Sequence, residues 1–102
     1  LRVDGYLLIV APDEPPNRRE RLRVLEAPVV YVDRAPGFAA DLVTADNLRG
    51  GETATKHLLR LGRKRIALLT PSTPSSVHRD REAGYRQAIE AAGIACDEAL
   101  VA

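Results

Sequence analysis

The chain has 102 residues, 45% of them hydrophobic, which suits one small globular domain or part of a larger one. Fifteen basic residues against fourteen acidic ones, net +1, leave no electrostatic footprint for nucleic acid. The single cysteine, Cys96, excludes an internal disulfide and lacks companions at metal-ligand spacing, and no apolar run reaches the length of a membrane span. Methionine is absent, and the chain opens on Leu1-Arg2-Val3-Asp4-Gly5 straight into a strand pattern, so it is expected to be a fragment. No signal-peptide pattern is visible, which makes the cytoplasm the expected compartment. With one Phe, three Tyr and no Trp, the core must be largely aliphatic.

Residues 5–11 form a continuous apolar run, the pattern of a strand covered on both faces. Asp13-Glu14-Pro15-Pro16 reads as a helix start, an Asp cap followed by Pro near the first helical position. The helix it opens, over residues 15–25, has a thin apolar stripe of Leu22 and Leu25. Its Arg18, Arg19, Arg21 and Arg23 are interleaved with Glu20 and Glu26, which fits a solvated face better than a nucleic-acid contact. Residues 29–33 read as a second strand, followed by the turn Asp33-Arg34-Ala35-Pro36-Gly37. Leu42-Val43-Thr44 adds a short extended piece.

Asp46 or Asn47 then caps a helix over residues 46–61. At about 100° per residue, Gly50, Gly51, Ala54, Leu58 and Leu61 share one face, small enough to lie close against a sheet. Gly62 supplies a left-handed stop, and Arg63-Lys64-Arg65 complements the helix dipole. A third strand is expected over 65–70, then a loop, then a last helix over 77–92 that ends at Gly93. Apolar runs alternating with helical periods predict an α/β fold, a parallel sheet with flanking helices.

Chemistry-bearing residues are sparse. His57 shares a face with Ala54 and Leu61 and reads as a packing residue, and His78 as an exposed residue of a first turn. Neither has a partner pattern for catalysis or metal binding. Gly50-Gly51 lies inside a helix, so it forms no phosphate loop, and no Ser-His-Asp order or paired-acid motif stands out. The chain is therefore not read as an enzyme, and neither cofactor nor metal is expected.

Two arginines near the start of the last helix are separated by geometry. From Arg81, Tyr85 lies about 40° round the helix and Ala88 about 20°, which puts Arg81 on the apolar face. Arg79 lies about 160° away, on the exposed face. A charge near a helix start on a buried face is costly and needs a carboxylate partner or a ligand. Asp33 stands at the carboxyl end of a parallel strand, where ligands of open sheets sit. Its carboxylate can accept hydroxyl hydrogen bonds or simply cap the turn that follows, and adjacent Arg34 can face a cleft or solvent.

The stretch from Val43-Thr44-Ala45-Asp46-Asn47 through Gly50-Gly51 to Lys56-His57-Leu58 resembles the LacI/GalR family of bacterial regulators. So do Leu61-Gly62-Arg63-Lys64-Arg65-Ile66-Ala67, Val3-Asp4-Gly5, Pro28 through Arg34, and Arg81 followed by Gly84-Tyr85 and Ala88. These pieces fall in the family's order over nearly the whole chain. The sequence departs from the family at Arg63, where His is usual, and at Thr70-Pro71-Ser72, where a Gly-Pro pair is common.

The resemblance implies part of a two-lobe, periplasmic-binding-protein-like fold with its ligand in the interlobe cleft. Residues 1–70 would belong to the first lobe and 71–102 would start the second. It further implies an effector-sensing domain that takes a sugar or small metabolite and acts as a homodimer. Operator DNA would be reached only through a helix-turn-helix absent from this chain, and no membrane is involved. Asp33 and Arg81 are the implied ligand contacts, with Arg34 and Ser75 as further candidates. The alternative with the same fold is a sugar-binding protein of an ABC uptake system.

Overall fold

The computed structural model describes residues 3–11 and 14–102. In chain order it contains β1 (Tyr6–Leu8), α1 (Pro16–Arg23), β2 (Val29–Val32), β3 (Asp41–Val43), α2 (Asn47–Arg60), α3 (Ser76–Ala91) and a 3-10 turn (Glu98–Leu100). They divide into two compact units, Leu1–Ala45 and Asp46–Ala102.

The first unit is a parallel sheet in the order β1-β2-β3. Tyr6 pairs with Val29 and Leu8 with Tyr31, while Val30 pairs with Asp41 and Val32 with Val43. The parallel pairing expected from the apolar runs is therefore present, and the short extended piece near Leu42 is a strand of the same sheet. Side chains alternate across a strand, so Tyr31 and Leu7 lie on opposite faces. Tyr31 is 1% exposed and meets Phe38 edge-on at 5.8 Å, while the Arg23 guanidinium sits 5.6 Å from the Phe38 ring. Leu7 and Ile9, on the other face, are 77% and 74% exposed. The expected burial of this strand on both faces is thus met on one face only among the described residues.

Asp13, the expected cap of α1, lies outside the described residues. The helix begins at Pro16 behind Pro15, whose side chain caps nothing, and Pro suits this position because the first N–H groups of a helix have no partner anyway. Its charges pair locally, Arg18 with Glu14 at 2.8 Å and Arg23 with Glu20 at 3.6 Å.

In the second unit, Asp46 caps α2 by accepting the Arg49 N–H at 3.0 Å. Gly62 and Gly93 take φ of 78° and 73° past the ends of α2 and α3, the left-handed stops anticipated at both places. A Cβ on Gly51 would collide with the Arg81 carbonyl, and one on Gly84 with the Leu48 carbonyl, so the two helices touch backbone to backbone. The packed face of α2 meets the expected one at Gly51 and departs from it at Leu58 and Leu61. Asn47 and Thr55 are its buried residues, whereas Leu58 is exposed and Leu61 is 59% exposed. The close approach at Gly84 selects the side of α2 that carries Gly51, with Asn47 and Thr55 one turn to either side. Thr55 tolerates this burial because its hydroxyl donates to the Gly51 carbonyl at 2.8 Å.

The core of this unit is Ile66, Tyr85 and Ile89, with Leu59, Leu68, Ile94, Cys96 and Val101 packed against it. The Tyr85 hydroxyl donates to the Ile66 carbonyl at 2.8 Å. The strand expected over 65–70 reduces to one parallel bridge, Leu68 with Val101. Leu68 N–H donates to Leu100 at 2.8 Å and its carbonyl accepts from Ala102 at 3.0 Å. A strand needs a continuous partner, and Leu100 and Ala102 give this segment only a few ladder bonds.

Candidate ligand-binding site

β2 ends on a residue with unusual backbone. Asp33 has φ of 71°, a left-handed conformation that non-glycine residues rarely adopt and that Asp tolerates better than most. Its N–H donates to the Val43 carbonyl at 2.8 Å, and its carbonyl accepts the Thr44 hydroxyl at 2.8 Å. The backbone is thus fixed from the neighbouring strand, and a half-exposed carboxylate is set at the carboxyl end of the central strand. Arg34 Nε lies 3.8 Å from that carboxylate, an ion pair too long for a hydrogen bond, and is buried with no hydrogen-bond partner among the described residues. Arg34 Nη1 donates to the Val10 carbonyl at 3.4 Å.

The other two candidates belong to the second unit. Ser75 caps α3: its N–H donates to His78 Nδ1 at 3.1 Å, and its hydroxyl lies 2.9 Å from the same nitrogen. His78 is accordingly half-buried rather than exposed, because its ring closes the capping box. His57, expected to pack, is exposed, since α3 covers a different side of α2. Arg79 points to the loop and donates to the Pro74 carbonyl at 2.9 Å.

Arg81 does not occupy the buried position expected of it and is exposed. Its backbone lies in the seam against Gly51, while its side chain runs along α2 to Asn47, whose Oδ1 accepts Nε–H at 3.0 Å. A neutral amide stands where a carboxylate or ligand was anticipated. Asn47 was legible in the sequence only as a possible cap; its pairing with Arg81 crosses 34 residues and left no local signal.

The structure therefore brings Asp33 and Arg34 together at one strand end, and Ser75 and Arg81 onto the first two turns of one helix. Among the described residues, no three His, Cys, Asp or Glu side chains are placed to hold a metal, and no helix is long and apolar enough to cross a membrane.

A parallel three-stranded sheet in a chain that also carries helices places the protein in the α/β class, and comparison with known proteins narrows it. The family described as "Periplasmic binding proteins and sugar binding domain of LacI family" matches residues 2–102, and the chain belongs to this family. The ribose operon repressor of Escherichia coli K12 is 37% identical over 94 residues, which cover 91% of this chain and 28% of that repressor. The chain thus spans under a third of that relative's length. Among solved structures, a transcriptional regulator CelR–cellobiose complex is 36% identical with a TM-score of 0.80, covering 98% of this chain and 31% of that one. A LacI family regulator from Mycobacterium smegmatis is 29% identical with a TM-score of 0.85, covering 98% and 36%.

Proposed function

We propose that this chain is part of the effector-sensing domain of a LacI/GalR-type transcriptional regulator and that it is not an enzyme. The observation that carries the reading is the family match over residues 2–102, together with relatives that are themselves named as repressors and regulators. A sugar or small metabolite binds in an interlobe cleft, and the bound state alters the DNA affinity of a helix-turn-helix domain outside this chain. The regulator acts in the cytoplasm as a homodimer and needs no cofactor.

Asp33 accepts hydroxyls of the effector, Arg81 grips it from α3, and Arg34 and Ser75 contribute at the edges. Residues 1–70 belong to the first lobe of that domain, and residues 71–102 start the second. The relatives named for ribose and for a cellobiose complex make a sugar the first effector class to try. No feature of the site favours the uptake-protein alternative over this reading.

The test is fluorescence anisotropy of the full-length protein on DNA from upstream of its own gene, titrated with D-ribose, cellobiose and other small sugars. A sugar that shifts the DNA dissociation constant supports the proposal. A full-length protein that carries a secretion signal and ignores DNA while binding sugar would replace it with the uptake function.

A further inference from the structure

Arg81 is held by its side chain at one point only. Nε–H donates to Asn47, and among the described residues no protein group pairs with the two terminal nitrogens. Asn47 is 5% exposed, at the first residue of α2. The glycine seam explains why it reaches so far in sequence: Gly51, one turn beyond Asn47, lies against the Arg81 backbone, so Asn47 is carried alongside the same side chain. Backbone and inner nitrogen are both fixed, and the outer edge of the guanidinium is left open.

A guanidinium carries five N–H donors in one plane. With Nε–H turned to Asn47, the four N–H of the terminal nitrogens remain, and this edge matches two oxygens of one ligand. The identity of the anchor matters as much as its place. A carboxylate at position 47 would orient Arg81 and also cancel its charge, whereas an amide orients it and leaves the charge for the ligand.

We propose that Asn47 is a positioning residue for effector binding, which pins Arg81 through Nε and so presents its terminal nitrogens to a ligand with two adjacent oxygens. Two sources share that chemistry, a vicinal diol of a sugar and an oxyanion. The inference rests on Arg81 being an effector contact, and its test separates the two claims.

The experiment uses the full-length regulator with D-ribose, cellobiose and inorganic phosphate as probes, read by calorimetric titration and by nitrogen-15 NMR of the Arg81 Nε–H. In the native protein that proton exchanges slowly with solvent, and at least one probe binds. Asn47→Ala loses the protection and weakens that probe by about tenfold, the cost of ordering one long side chain on binding. Asn47→Asp keeps the acceptor and the protection. It restores the binding of a sugar but not of phosphate, which identifies the ligand chemistry and guards against a fold defect in the alanine variant. A protected Nε–H in Asn47→Ala, or its loss with unchanged affinity, would overturn the proposal, as would a native protein that binds none of the three probes. If Arg81→Ala abolishes binding while both Asn47 variants bind normally, only the positioning role falls. If Arg81→Ala binds normally, the contact itself was wrongly assigned.

Discussion

The two compact units place a tyrosine at the centre of each, and the two differ in one bond. Tyr85 in the second unit buries its ring and donates its hydroxyl to the Ile66 carbonyl. Tyr31 in the first unit is equally buried, yet its hydroxyl has no hydrogen-bond partner among the described residues. Burial raises the pKa of both phenols, so both stay neutral. The units also differ in what they leave bare: the first exposes Leu7 and Ile9 on one sheet face, while the second is closed by a helix seam with no room for a Cβ at Gly51 or Gly84. The comparison separates burial from satisfaction. A core position can be fully enclosed while its polar atom remains uncompensated, and the cost of that depends on which partner is missing.

The largest effect is expected at the seam. Gly84→Val forces its side chain onto the Leu48 carbonyl and must part the helices, at a cost of about 2–3 kcal/mol. Urea unfolding of the variant should show a lower midpoint with an unchanged slope. An unchanged midpoint would mean that the helices do not pack as closely as described.

The tyrosine pair sharpens the same contrast. Tyr85→Phe strands the Ile66 carbonyl and should cost about 1–2 kcal/mol. Tyr31→Phe removes a hydroxyl that nothing in the described structure compensates, so it should be neutral or stabilising by up to about 1 kcal/mol. Both are read from thermal melts under identical conditions, and equal losses would erase the distinction between the two units.

A smaller effect belongs to Arg86, which bonds Glu82 on its own helix and Glu98 in the 3-10 turn, the latter through both terminal nitrogens at 2.5 and 2.9 Å. The hydrogen bond from Arg86 holds the Glu98 carboxyl below its ordinary pKa. A lowered acid favours the folded state above its unfolded pKa, about 4.3, and that contribution is lost as pH falls. Glu98 is exposed, so the gain is slight. Glu98→Gln should melt marginally below the native protein at neutral pH and coincide with it near pH 3; a gap that widens in acid would reverse the assignment.

Much of this architecture is legible in the sequence. Gly62 and Gly93 announced their helix ends because a glycine after a helical period has one obvious use, and Asp33 stood out as a carboxylate at a strand end. The packing face of α2 was legible at Gly51 but not at Asn47 and Thr55. It is selected by Gly84, 36 positions beyond Leu48, and the apolar stripe of Leu58 and Leu61 pointed elsewhere. The strand over 65–70 was over-read because apolar content alone cannot count its hydrogen-bond partners. Within the candidate site, residue types were readable but alliances were not. The left-handed backbone of Asp33 goes with its bond to Val43, Ser75 is tied to His78, and helical spacing puts Arg81 on a buried face because nothing local shows an amide 34 residues earlier.

Arg81, and not its neighbour two positions earlier, is the residue proposed to grip the effector. Arg81 presents unpaired terminal nitrogens, whereas Arg79 spends one of its own on the Pro74 carbonyl. Calorimetric titration of the full-length Arg81→Ala and Arg79→Ala variants with the sugar that shifts DNA binding tests this directly. The account predicts a loss of roughly 1–3 kcal/mol for Arg81→Ala, about tenfold or more in affinity, and almost none for Arg79→Ala. Equal losses, or a larger loss for Arg79→Ala, would contradict it.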